Sequence, residues 1–217
     1  GSLDDPQSWS VPWGTPKAET YALPENVTLN ERRYGVDPDG DNAAATKGKG
    51  KGKGAKTAKA AGVTVPDSMP ATKNIRGPAF EGAEVPDNTF QDGKVAELAV
   101  STLRDISQKK EPFFLAVGFI KPHLPFIAPK KYWDLYDPAK IQLATNPFRP
   151  KDAPEYAILS GGELRNYHGI PEGHVPDDLA RQLKHGYYAA ISYMDAQVGK
   201  VLAELDRLDL RKNTIVI

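Results

Sequence analysis

The chain contains one run that is apolar or small at every position, from Phe113 to Phe119, directly after Pro112. A continuous apolar run, rather than an alternating one, is typical of a strand that helices cover on both faces of a parallel sheet. The run leads into Lys121 and His123, which lie among prolines. The pattern therefore predicts a buried parallel strand that ends in a rigid polar corner.

A helix is predicted immediately before this strand. Asn88 and Gln91 have the spacing of a capping box, and apolar residues recur at helical spacing from there to Gln108. Lys109 and Lys110 suit the C-terminal end of such a helix, where the helix dipole favours positive charge. A helix that leads directly into a strand is the order of elements in a parallel α/β layer.

A second amphipathic helix forms the longest periodic pattern. Asp177 or Asp178 is expected to cap it, and another strand is expected to begin at Thr214. Ser192 and Asp195 are interpreted as polar ties to neighbouring loops, with a catalytic role for Asp195 as the alternative. Small residues on the helix are interpreted as close-packing positions: Gly186, Ala189, Ala190 and Gly199. The apolar face advances by threes and fours: Leu179, Leu183, Tyr187, Ala190, Ile191, Met194, Val198, Val201 and Leu205.

The remaining segments lack a sustained period. Residues 3–40 and 63–86 are predicted to be irregular, and a short helical turn at 129–136 precedes a long loop predicted at 137–176. Three aromatic residues of the first segment either anchor it to the core or line a carbohydrate site: Trp9, Trp13 and Tyr21.

Residues 43–62 alternate lysine with glycine over much of their length. They offer little apolar area to offset the entropy cost of ordering, so they predict a flexible surface insert. The insert is either a solvated tether or an electrostatic arm for sulfated or otherwise anionic polymers.

Lys121 and His123 are the candidate site residues. Pro122 and Pro125 restrict the backbone around them, so the loop loses little further entropy on ordering, and ligands of open α/β sheets bind beyond the carboxyl ends of the strands. A cation and an imidazole on such a loop are preorganised for an anion. The alternative is a solvated strand-end lysine and a hydrogen-bonded corner histidine. His168 and His174 lack zinc-like spacing with further ligands and are expected to be surface or hydrogen-bonded residues.

Composition narrows the function classes. The 217 residues are 40% hydrophobic, which suffices for one core, and 28 basic residues balance 28 acidic ones, which predicts no nucleic-acid partner. The absence of cysteine excludes disulfides and thiolate chemistry from this segment. No apolar stretch approaches the ~20 residues of a membrane span. We expect the chain to be an internal piece of a longer protein.

Several motifs together resemble the type I sulfatases of the alkaline-phosphatase-like superfamily, most closely the iduronate-2-sulfatase branch. The strand at 113–119 with the Lys-Pro-His-Leu-Pro-Phe sequence at 121–126 is similar to one strand and loop of that family. The segment from Gly186 to Gly199 resembles the family's tyrosine-rich helix, and weaker matches lie at 4–10 and 76–78.

The resemblance implies that residues 1–217 are the central part of a sulfatase catalytic domain, a sandwich with a mostly parallel sheet flanked by helices. It implies that His123 contacts the sulfate and that Lys121 supplies charge nearby. The family's formylglycine nucleophile, its Ca²⁺ site, a sulfated carbohydrate substrate, and a periplasmic, secreted or lysosomal location are further family expectations. The remainder of the sulfatase chain is the expected structural partner.

The sequence also departs from the family pattern. It contains no Cys/Ser-x-Pro-x-Arg motif and no aspartate pair that fits the first metal site of the family. Asp4 and Asp5 are adjacent, but they belong to the Asp-Asp-Pro-Gln-Ser-Trp segment that ends at Trp9, which is a different family motif. We therefore expect the 217-residue chain alone to be inactive. Two alternatives stay open: a phosphate or phosphonate esterase of the same superfamily, and a catalytically silent sugar-binding module on this fold.

Overall fold

A computed structural model describes residues 6–11, 14–32, 76–158 and 162–217. The predicted insert at 43–62, Trp13, and the Asp4 and Asp5 pair lie outside these residues.

Four α-helices are present in these ranges: α1 (Pro24–Arg32), α2 (Gln91–Lys109), α3 (Lys130–Trp133) and α4 (Asp177–Arg207). Short 3-10 turns connect them, and one of these turns, Asp87–Thr89, directly precedes α2. Within the described residues, every helix is too short or too polar to cross a membrane.

The strands are short and pair in parallel. Strand β1 (Arg76–Pro78) pairs with β4 (Tyr167–His168), and β2 (Phe80–Ala83) pairs with β3 (Phe126–Pro129). The longer pairing aligns Phe80 with Phe126 and Ala83 with Pro129. Helices pack on these parallel strands, so the predicted α/β class with parallel pairing is confirmed.

The strand predicted at Phe113–Phe119 is wrong as a paired strand: residues 111–120 form no strand pairing with any residue that the structure describes. Exposure nevertheless alternates along the segment. Phe113 and Leu115 are half-buried, whereas Phe114 is 79% exposed. A period of two indicates extended backbone. An apolar run supplies the side chains of a buried strand, but the hydrogen-bonded neighbour must come from elsewhere. The strand predicted to begin at Thr214 likewise forms no strand pairing with any residue that the structure describes.

Segments predicted to be irregular contain α1, β1 and β2, so that prediction is also wrong. The nine residues of α1 are too few to show a clear period. The helix is held instead by Glu81 of β2, which is buried and far away in sequence. Its carboxylate accepts hydrogen bonds from the backbone N–H of Ala22 at 2.7 Å and from Asn26 Nδ2 at 2.7 Å. Tyr21 is buried beside them, and its hydroxyl donates to the Pro78 carbonyl at 2.8 Å, which confirms its anchoring role.

Both long helices lie where the periodicity predicts, but their caps and faces differ. The N-cap of α2 is Phe90, and Asn88 donates to Glu97 Oε1 at 2.9 Å instead of capping. The N-cap of α4 is Pro176, so Asp177 lies in the first turn rather than at the cap. Polar residues share the buried face of α4 with apolar ones: Leu183, Gly186, Ala189, Ala190, Tyr193, Gln197, Glu204 and Leu205.

Small residues on α4 allow close approach at some of the predicted positions. A Cβ on Gly186 would lie 2.8 Å from the Trp133 ring and 3.0 Å from Phe126 Cβ, and Ala189 and Ala190 are fully buried. A Cβ on Gly199, by contrast, would meet no heavy atom of the described residues within 4 Å apart from the adjoining backbone of α4, so its predicted close-packing role is wrong.

Asp87 links the turn before α2 to α3 and α4. Its Oδ1 lies 2.7 Å from Lys131 Nζ, and its Oδ2 accepts hydrogen bonds from Lys200 Nζ at 2.6 Å and from the Tyr132 hydroxyl at 3.0 Å. Gln197 Nε2 also reaches Oδ2, at 3.3 Å. Burial alone would raise the pKa of the Asp87 carboxyl, but the bonds from Lys131, Lys200 and Tyr132 outweigh it and lower the pKa to about 2.

Tyr193 of α4 joins the same turn from the other side. Its hydroxyl donates to the Asp87 carbonyl at 2.9 Å and accepts the Gly93 N–H at 2.6 Å, so one buried hydroxyl satisfies two backbone groups. A Cβ on Gly93 would lie 2.0 Å from the Asp87 carbonyl oxygen. Only glycine permits this close approach of α2 to the turn.

Two helical glycines give a matched test of this packing. We expect Gly93→Ala to lower the free energy of unfolding by about 1–3 kcal/mol, because the methyl group overlaps the Asp87 carbonyl. Gly199→Ala is the control and should raise stability by up to about 1 kcal/mol, because alanine is the better helix former and the position is open. Urea unfolding followed by circular dichroism measures both, and equal effects of the two substitutions would contradict the packing argument.

The Asp87 network also predicts an acid-dependent loss of stability. The folded state lowers the pKa of Asp87 from its ordinary 3.8 to about 2, so the contribution is complete above 3.8 and disappears as pH falls towards 2. Asp87→Asn should lower the free energy of unfolding at neutral pH by on the order of 1–2 kcal/mol. It should also flatten the dependence of that free energy on pH between these two values. Asp134→Asn is the control, since the Asp134 side chain forms an exposed pair with Lys130. An unchanged acid profile in Asp87→Asn would disprove the network's role.

Candidate functional site

The polar corner predicted after the apolar run is held by Asp92, in the first turn of α2. Its side chain is buried, and its two carboxylate oxygens accept consecutive backbone N–H groups: Ile120 at 2.8 Å and Lys121 at 2.9 Å. Hydrogen bonds to an ionised acceptor are about twice as strong as neutral ones. Asp92 therefore fixes the point at which the loop leaves the extended segment.

Lys121 closes the loop from inside. Its ammonium group donates to the backbone carbonyls of Pro125 at 2.7 Å and His123 at 3.2 Å. Burial lowers the pKa of Lys121 to about 8, and the nearby Asp92 charge offsets only part of that effect. The structure thus places Lys121 next to His123, as predicted, but directs its amine at the loop's own carbonyls.

His123 presents one ring nitrogen to the outside. Nδ1 lies 2.7 Å from the Leu124 carbonyl, and because a carbonyl only accepts hydrogen bonds, Nδ1 carries a proton. Nε2 points the other way, and the side chain is 58% exposed. A backbone contact therefore fixes the orientation of the ring and leaves Nε2 as the nitrogen that can meet a ligand.

Glu163 and Arg76 lie beside this nitrogen. Glu163 Oε2 is 3.3 Å from His123 Nε2, and Glu163 Oε1 is 2.8 Å from Arg76 Nη1. Arg76 Nη1 also donates to the Tyr167 hydroxyl at 3.0 Å, and its guanidinium carbon lies 5.3 Å from the centre of the Tyr167 ring. The site therefore has a buried inner side at Asp92 and Lys121 and an exposed outer side with alternating charge.

The roles of Asp92 and Glu163 were not predicted from the sequence. Asp92 sits at a helical position like any other first-turn acid, and only the tertiary structure shows that it reaches residues 120 and 121. Glu163 lies in the long predicted loop. A local signal existed only for Arg76, which is the first residue of the Arg-Gly-Pro motif.

The other candidate residues are not brought to this site by any described contact. His168 and His174 are exposed, and Asp195 is exposed on α4. Ser192 ties α4 to Tyr136 at 2.5 Å between their hydroxyl oxygens, which confirms its predicted role. Trp9 stacks on Phe114 with ring centres 6.0 Å apart.

Calcium does not fit the carboxylates that line this corner. Asp92 is occupied by two backbone N–H groups, and Glu163 is occupied by Arg76 and His123. Across the described residues, no three or more His, Cys, Asp or Glu side chains cluster as metal ligands would. A hard cation such as Ca²⁺ takes six to eight oxygen ligands. No step proposed for these residues involves a metal ion.

Comparison with known proteins identifies the family. The family model described as Sulfatase matches residues 35–217, which include the whole corner. The chain belongs to the sulfatase family. This membership confirms the alkaline-phosphatase-like class of fold that the motifs predicted.

Curated relatives include two iduronate 2-sulfatases. The mouse protein is 38% identical over 141 residues, 62% of this chain and 26% of the relative, and the human protein is 35% identical over 162 residues, 67% of this chain and 30% of the relative. A choline-sulfatase from Rhizobium meliloti is 27% identical over 143 residues, 62% of this chain and 27% of the relative. This sulfatase-family chain thus spans less than a third of the length of these relatives.

Asp92 gives a direct test of how the corner is held. Asn in its place offers one carbonyl oxygen and an amide group that cannot accept, so one of the two backbone N–H groups at 120 and 121 loses its partner. We expect Asp92→Asn to lower the free energy of unfolding by about 1–3 kcal/mol. It should also speed hydrogen exchange of these two amides more than that of amides in the core of α4. Asp195→Asn is the exposed control. Unchanged exchange at 120 and 121 would show that Asp92 does not hold the loop.

Proposed function

We propose that this chain is the segment of a sulfate-ester hydrolase that supplies a sulfate-contacting histidine, His123. The observation that carries the proposal is a 58% exposed imidazole whose Nδ1 is fixed by the Leu124 carbonyl, so that Nε2 is the nitrogen left for a ligand. Family membership adds the reaction class, since the matched family is the sulfatases.

His123 would act through Nε2–H. In this orientation the imidazolium donates a hydrogen bond to a sulfate oxygen, where negative charge is concentrated, or to the leaving oxygen as the S–O bond breaks. The Nδ1 contact keeps the ring from turning away during either step. The ring therefore loses little orientational freedom when substrate binds.

Lys121 would contribute charge from behind His123. Its amine bonds two loop carbonyls, so its first role is to hold the loop that presents the imidazole. When protonated, it adds positive potential to the corner without contacting the sulfate directly. Lys121 is therefore a positioning residue in this proposal. Asp92 has the same role, because its carboxylate holds the backbone N–H groups of residues 120 and 121.

The nucleophile and metal would come from elsewhere in the protein. The chain has no cysteine, and no Cys/Ser-x-Pro-x-Arg segment that formylglycine formation would use. We therefore propose that the 217-residue chain does not turn over sulfate esters alone and is the central part of a longer catalytic domain. The segments at 111–120 and 214–217 support this, because they pair with no strand among the residues that the structure describes, whereas extended apolar segments in sheet proteins pair with neighbouring strands.

The proposed substrate is a sulfated carbohydrate. The support is that two of the relatives are iduronate 2-sulfatases. Phosphate esters are the second candidate, because His123 Nε2–H would bond the oxygen of any anionic tetrahedral group. Turnover of the two ester classes by the full-length protein separates these candidates.

Substitution of His123 in the full-length protein tests the proposal. We expect His123→Ala to lower kcat/KM for an aryl sulfate or a sulfated monosaccharide by about 10²-fold or more, because a positioned proton donor is lost. His168→Ala, an exposed histidine of β4, is the matched control and should stay within a few-fold. Sulfatase activity that survives His123→Ala at the wild-type level would refute the role of His123. Phosphate-ester turnover without sulfate-ester turnover would move the chain to the second candidate.

A further inference from the structure

We propose that Glu163 occupies the anion-facing nitrogen of His123 when no ligand is bound and yields that nitrogen to the anionic group of the substrate. The inference rests on the proposed function, because it assumes that His123 Nε2 receives the sulfate. It assigns a role to a carboxylate that no part of the mechanism above uses.

The hydrogen-bond geometry at His123 defines a single open position. Nδ1 is taken by the Leu124 carbonyl at 2.7 Å, so only Nε2 is available to a ligand. Glu163 Oε2 already lies 3.3 Å from Nε2. Carboxylate and sulfate oxygens are both acceptors, and a single Nε2–H directs one linear hydrogen bond at a time. Because Nδ1 already carries a proton, Nε2–H belongs to the imidazolium, and the two anions compete for that one proton.

Arg76 keeps Glu163 near that position. Its guanidinium holds the other carboxylate oxygen at 2.8 Å and is itself fixed by the hydroxyl of Tyr167, which is buried. Backbone pairing of β1 with β4 places Arg76 opposite Tyr167. Glu163 is thus anchored through Oε1 and can release Oε2 from His123 without leaving Arg76.

The contact between His123 and Glu163 is weak enough for a ligand to replace it. The side chains of His123 and Glu163 are 58% and 40% exposed, and ion pairs in solvent contribute little stability. A doubly charged or tightly hydrogen-bonded anion displaces such a contact, whereas a neutral ligand gains nothing at Nε2. Glu163 would therefore weaken binding of every anion at His123, including inorganic sulfate.

Titration of inorganic sulfate into the protein labelled with ¹⁵N-histidine tests the competition. The His123 Nε2 resonance, assigned by its loss in His123→Ala, reports binding at that nitrogen. Glu163→Gln replaces the carboxylate with a neutral amide of similar shape, and we expect its sulfate dissociation constant to fall about 3- to 10-fold. Its free-state Nε2 shift should also differ from that of the wild-type protein.

Two further variants separate contact from charge. Glu155→Gln removes a more exposed carboxylate that pairs with Arg149 at 2.9 Å, and it should leave sulfate affinity within twofold. Glu163→Asp keeps the charge but shortens the reach, so it should also bind sulfate more tightly than wild type. Unchanged or weaker sulfate binding by Glu163→Gln would overturn the inference while leaving His123 as the sulfate contact. A His123 Nε2 resonance that does not move with sulfate in either the wild-type protein or Glu163→Gln would instead reject the proposed function.

Discussion

The backbone turn from Asp87 to Gly93 is the constraint on which the described structure depends. The Asp87 carboxylate binds lysines from α3 and α4, and the Asp87 carbonyl shares the Tyr193 hydroxyl with the Gly93 N–H. Asp92, in the same turn, holds the backbone at residues 120 and 121. Buried charges are costly unless they are paired and hydrogen-bonded, and here the pairing joins three helices and a loop.

This constraint has a direct consequence for the candidate site. The inner side of the His123 loop is fixed by a buried carboxylate and a half-buried lysine, whereas its outer side is an exposed series of charged groups at Glu163 and Arg76. A rigid support behind an exposed hydrogen-bond donor is what recognition of an anion requires, because the donor then loses little freedom on binding. The inner side fixes the position of the His123 loop, and the charged groups of the outer side can rearrange when a ligand binds.

The sequence predicted the elements whose signal is local. The helix of α4 begins at Asp177 and contains Gly186 and Ala189 in close packing, as its periodicity indicated. The position of Lys121 and His123 on one loop also followed from their spacing. Paired strands could not be predicted in the same way, because pairing depends on a partner remote in sequence. For the same reason Asp92 and Glu163 were missed: the N–H groups that Asp92 binds lie 28 and 29 residues away, and Arg76, which holds Glu163, lies 87 residues away.

A structure of the full-length protein with a sulfated ligand would test the central claim most directly. The account predicts a sulfate oxygen within about 2.7–3.2 Å of His123 Nε2, with Nδ1 still on the Leu124 carbonyl. A sulfate group bound to other residues, with no oxygen in hydrogen-bond reach of His123, would contradict it.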